Sequence, residues 1–150
     1  MTRTSTPGPV VVGVDGSPAS VTAVLYAVAE ARLRGARVRA VSAYGYSDSG
    51  REAEIATTRA QQSIDRARLA AGDRWPDDEP DVQVAEGPVA EVLHAASRDA
   101  VLLVVGADPH GLLGRVLEGS VLPTLTWHVH VPTVIVPLDW AEDPRRDDAC

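Results

Sequence analysis

The chain has 150 residues, 45% of them apolar and none of them Phe, with a net charge of −7. That length makes one ordinary domain with a core of Val, Leu, Ala and Ile and no need of disulfides or metals. The arginines are scattered among acids, so no basic stripe points to nucleic acid and the charge argues against an anionic membrane surface.

Residues 1–9, rich in Thr, Ser, Pro and Gly, read as a flexible tail without the apolar core of a signal peptide. No apolar run approaches membrane-spanning length. Residues 10–14 form a short β-branched run, read as a buried strand ending at the Asp15-Gly16 turn. Ser17-Pro18 supplies an N-cap and a first-turn proline, and Gly35 a stop, for a helix whose apolar face is Val21, Val24, Leu25, Val28, Ala31 and Leu33. Residues 38–44 predict a second strand, and the alanine-rich stretch 51–71 a helix stopping near Gly72. A weak linker signal follows at 75–80, then a short strand at 82–85 and a helix at 88–98 with Val89, Val92, Leu93 and Ala96 inward.

Residues 101–106 carry no polar alternation, which predicts a strand buried on both faces. A glycine-rich loop follows, then a helix at 120–128 and a last strand at 131–136 ended by Pro137. Strands alternating with helices predict a single α/β domain over residues 10–138. It is a doubly wound, Rossmann-like, five-stranded, mostly parallel sheet with about four helices. Residues 139–150 read as a charged tail. Ligands in such sheets bind beyond the carboxyl ends of the strands, where Asp15, Ala43 and Gly106 fall.

The loop from Gly106 to Ser120 carries the most chemistry. A buried strand running into glycines, with a Gly-Ser pair opening a helix, presents backbone N–H groups to phosphate. Pro109 and Asp108 work against that: proline has no N–H to donate, and a carboxylate repels phosphate. His110 and Arg115 are compensating donors in the same loop.

The segments at 11–17, 30–44, 102–106, 119–121 and 131–136 resemble the universal stress protein family in order and spacing, a likeness spanning residues 9–137. Its ATP-binding members carry Gly-x2-Gly-x9-Gly-Ser/Thr. Gly106 and Gly119-Ser120 match the ends of that pattern, and Pro109 replaces its second glycine. The resemblance implies that Asp15 and the main chain at Val14 and Ala43 flank adenine and ribose, and that Gly106 admits ribose and phosphates. It implies that Gly119, Ser120 and Val121 donate to phosphate. Gly16 and Ser17 in the first turn, and Gly111 and Gly114 in the pliable loop, complete the nucleotide-binding set. The implied cofactor is ATP, AMP or another adenine nucleotide, with Mg²⁺ accompanying it. Asp108 alone in a turn reads as a solvated residue rather than a metal ligand.

No Cys/His spacing suits a metal, and His94, His128 and His130 read as surface or packing residues. The one cysteine, Cys150, excludes an internal disulfide framework and points to the cytoplasm. No Gly-x-Ser-x-Gly elbow, Walker lysine or acid–base pair is present, so any ATP hydrolysis is expected to be slow. The apolar strand at 131–136 needs a cover, and the family resemblance implies a homodimer through it, with a regulatory protein as further partner. Two functions follow: a nucleotide-binding stress regulator, or a nucleotide-free interaction module that lost ATP binding through Pro109.

Overall fold

A computed structural model describes residues 7–45, 49–107 and 130–143. The elements run β1 (Val10–Gly13), α1 (Pro18–Arg34), β2 (Val38–Tyr44), α2 (Ser49–Ala71), β3 (Asp81–Glu86), α3 (Val89–Ala96), β4 (Leu102–Ala107) and β5 (Thr133–Pro137), with a 3₁₀ turn at Gly72–Arg74. All five strands are parallel, in the order β3-β2-β1-β4-β5. The helix expected at 120–128 lies outside the described residues.

Helices α1 and α2 cover one face of the sheet and α3 lies on the other. Val10, Val12 and Val14 turn toward α1 and α2, while Val11 joins Val41, Leu93 and Leu103 on the α3 side. Among the described residues the buried apolar side chains are all Val, Ala, Leu or Ile, as expected of a chain without Phe. The residues of β4 from Leu102 to Gly106 are buried, which explains their lack of alternation.

α1 starts and stops where its sequence says. Ser17 accepts a hydrogen bond from the Ser20 N–H, Pro18 opens the first turn, and Gly35 ends the helix at φ 64°, a left-handed conformation that glycine takes without strain. Both sides of α1 are enclosed, because Ala23 and Ala27 pack on the sheet while Thr22 and Ala29 are buried as well.

One expected inward residue points out. Leu33 is half exposed, because it lies about two and a half turns beyond the buried Val24, on the opposite side of the helix.

Residues 138–143, beyond β5, follow α1 instead of leaving it. The Thr22 hydroxyl donates to the Leu138 carbonyl at 3.1 Å, and the Trp140 ring meets Tyr26 edge-on at 5.2 Å. Glu142 accepts from both Arg32 and Arg74. Residues 139–143, expected as the start of a solvated tail, thus form a strap on the domain. The 75–80 stretch is likewise anchored: Arg68 lies 5.5 Å over the Trp75 ring, and Trp75 packs against the main core.

Candidate functional site

The strand registers gather the candidate residues. Val10 pairs with Val38 on one side and Leu102 on the other. Continued past the last paired residues, these registers bring Asp15 level with Ala43 and Val14 level with Gly106. Three strand ends therefore meet beside the point where the sheet order switches from β1 to β4, the usual ligand position in a doubly wound sheet.

The turn after β1 is held by a compact polar network. The Asp15 carboxylate accepts from the Ser17 N–H at 2.9 Å and from the Ser20 hydroxyl at 2.5 Å, while the Asp15 N–H donates to the Ser20 oxygen at 2.8 Å. The Gly16 N–H donates at 3.1 Å to the hydroxyl of Ser63 on α2, which itself donates to the Arg59 carbonyl. Gly16 has φ 83°, and the Arg59 side chain stands 3.3 Å from where a Cβ would be. The turn thus requires glycine, and it presents the Asp15 backbone and carboxyl in a fixed place.

Between the ends of β1 and β2 lies a narrow cleft lined by Val14, Asp15, Ala43, Val89 and Leu93 with Val41 and Ser42. Its walls are mainly apolar, with Asp15 and Ser42 as the polar groups. That chemistry suits a flat aromatic ring carrying a polar sugar. As closed by the present side chains, its floor has room for about one water.

Gly106 stands one strand away. A Cβ there would come within 2.5 Å of the Ala19 carbonyl oxygen and 2.8 Å of its carbon. This position needs glycine so that α1 can lie close on β4, a packing reason beside the ligand reason drawn from the loop pattern.

Val14, Asp15 and Ala43 therefore line one cleft. Gly16 and Ser17 sit in the turn that shapes its rim, with their N–H groups already bonded to Ser63 and Asp15. Gly111, Gly114, Gly119, Ser120 and Val121 lie outside the described residues, as do Asp108 and Pro109. Ser20 and Ser63 were missed from sequence. Ser20 had a signal, since it is the third helical residue after an N-cap serine. Ser63 had none, being a serine on a polar helix 47 residues from its partner.

Among the described residues no group of three His, Cys, Asp or Glu side chains could hold a metal ion. No described helix is long and apolar enough to cross a membrane.

The model of the universal stress protein family matches residues 8–137. The chain belongs to the universal stress protein family. A curated universal stress protein of Mycobacterium tuberculosis is 30% identical to it, over 91% of this chain and 49% of the relative. Another from the same organism is 34% identical, over 85% and 44%. The chain thus spans about half the length of the curated relatives it matches.

Among solved structures, a universal stress protein in complex with cAMP is similar at TM-score 0.64 and 26% identity, covering 90% of this chain and 100% of that one. The universal stress protein from Archaeoglobus fulgidus in complex with dAMP has TM-score 0.57 and 21% identity, covering 88% and 99%. At that identity it speaks for the shared universal stress protein fold alone.

Proposed function

We propose that the protein is a universal stress-type regulator that binds an adenine nucleotide, ATP or AMP, as a homodimer with slow or no turnover. The observation that carries the reading is the cleft between β1 and β2, where Val14, Ala43, Val89 and Leu93 form apolar walls beside the anchored Asp15 carboxyl. The base lies between those walls and the ribose hydroxyls reach Asp15. The phosphates run toward Gly106, with Gly119 and Ser120 of the glycine pattern as their proposed donors. Support comes from the similar universal stress protein solved with cAMP. Bound nucleotide enters by parting the walls, since the cleft floor as it stands admits about one water.

Dimerisation uses the β5 edge. No charged residue occurs from 131 to 138, and Ile135 and Leu138 are about half exposed there. An apolar, uncharged edge strand at the end of a sheet pairs readily with its own copy. Pro132 precedes the strand, where its missing N–H costs nothing.

Titration of AMP, cAMP and ATP with and without Mg²⁺ by calorimetry, alongside melting curves, tests the reading. Binding stabilises the fold by mass action, about 2.7 kcal/mol at a hundredfold excess over Kd, and so raises the melting temperature. An unchanged melting temperature at roughly millimolar nucleotide overturns it.

Pro109 and the narrow cleft floor favour a second reading, a nucleotide-free interaction module. Tight ATP binding gained by Pro109→Gly, with none in the parent, identifies that case.

A further inference from the structure

The sheet has a second edge, and it differs from the first. β3 pairs with β2 on one side, from Arg39↔Asp81 to Tyr44↔Glu86, and among the described residues no strand lies on its other side. Val82 and Val84 are half-buried, and β3 packs against α2 on that face. Gln83 and Ala85, alternating with them, are exposed on the opposite face. α3 is only eight residues long and packs over β2. Parallel sheets are ordinarily covered on both faces; among the described residues one face of the outermost strand is open.

The opening is a groove of about 620 Å³ running along β3. Its floor is made of small residues, Ala85, Ala95 and Ala96, and its acidic groups are Glu86 and Glu91. No Lys or Arg lines it. Among the described residues neither glutamate is in an ion pair.

We propose that this groove binds an extended, basic peptide segment of a partner protein, laid along β3 as a sixth strand. The main chain of the incoming segment pairs with the free edge of β3. Small apolar side chains at alternate positions settle on the alanine floor, and Lys or Arg residues meet Glu86 and Glu91. The charges select the occupant. A second copy of this chain would bring its own Glu86 and Glu91 toward the same groups, and like charges across a strand pair are repulsive. The two edges thus divide the work, with the uncharged β5 edge suited to self-pairing and the acidic β3 edge to a basic partner. This inference is independent of nucleotide binding.

Two labelled hexapeptides, Lys-Val-Lys-Val-Lys-Val and Glu-Val-Glu-Val-Glu-Val, are titrated into the full-length protein, with amide chemical shifts and fluorescence anisotropy as readouts. The basic peptide is expected to shift amides of 81–87 and of α3, and to lose about tenfold in affinity when salt shortens the Debye length to about 3 Å. The Glu86→Lys/Glu91→Lys variant, both positions exposed, is expected to stay folded with a slightly lowered melting temperature, because Glu91 lies in the first turn of α3, and to lose about tenfold or more in affinity for that peptide. Equal binding of the acidic peptide, shifts confined to other elements, no binding at roughly millimolar peptide, or unaltered binding by the variant each overturns the proposal. A homodimer that dissociates in the same variant, seen by light scattering, also overturns it, because the groove is then filled by a second copy.

Discussion

The carbonyl oxygen of Ala19 stands 2.5 Å from the place a Cβ on Gly106 would occupy. No flexible side chain separates them, so a methyl group at 106 meets helix backbone and the first turn of α1 must shift. Gly106→Ala is therefore expected to lower stability by about 1–3 kcal/mol, the usual cost of overpacking, measured by urea unfolding. A variant of parental stability that has lost only nucleotide affinity would assign the glycine to the ligand and not to the helix.

Ser20 makes a different point about the same turn. Its hydroxyl oxygen accepts from the Asp15 N–H while its proton goes to the Asp15 carboxylate. Ser20→Ala removes both partners in a fully buried position and is expected to cost about 1–3 kcal/mol. Asp15→Asn keeps an oxygen able to accept from Ser17 and Ser20, so the fold tolerates it better. Under the proposed function that variant loses affinity for ribonucleotides by about tenfold, one charge-assisted hydrogen bond's worth. Calorimetry with AMP on both variants separates the two effects, and an Asp15→Asn protein that binds as the parent does removes Asp15 from the site.

The strap after β5 predicts a stabilising C-terminal segment. Trp140 is only partly buried and contacts Tyr26 edge-on, so Trp140→Ala is expected to cost about 2 kcal/mol, below the full cost of a buried tryptophan. Glu142→Gln removes the charge that pairs with the two arginines but is expected to cost under about 1 kcal/mol, with the difference vanishing in high salt. Melting curves at low and high salt give both numbers. An unchanged melting temperature for Trp140→Ala means the strap contributes nothing to the fold.

Local chemistry made much of this legible in sequence. Ser17-Pro18 and Gly35 are written in residues adjacent to the helix they bound, and the unbroken apolar run into Gly106 gave a strand buried on both sides. The placement of Asp15 and Ala43 at one end of the sheet followed from strand order. What sequence hid depends on contacts across the chain. Ser63 reaches Gly16 from 47 residues away, and Ala19 imposes glycine on a strand 87 positions later. The strap looked like a tail because its acids, Asp139, Glu142 and Asp143, are those of a solvated segment, and the partnered Trp140 and Glu142 reveal otherwise. Leu33 was misplaced by taking apolar character alone as a sign of the inner face, when helical phase puts it outside.

The pair at the end of α3 sets an acid-side dependence. Arg39 donates to the Ala96 carbonyl at 3.0 Å and to the Asp99 carboxylate at 2.8 Å, a cation placed at a helix C-terminus where the dipole favours it. The Arg39 hydrogen bond holds the Asp99 carboxyl below its ordinary value of 3.8. A carboxyl with a depressed folded value binds its proton more readily in the unfolded chain, so its contribution is fully present above about 3.8 and is lost as pH falls through the lower folded value. Because the Asp99 side chain is 62% exposed, solvent screens the pair and Asp99→Asn is expected to cost only about 0.2–1 kcal/mol at neutral pH. Urea midpoints of parent and variant should converge only in strong acid. Convergence already near neutral pH would mean that another group, not Asp99, governs the difference.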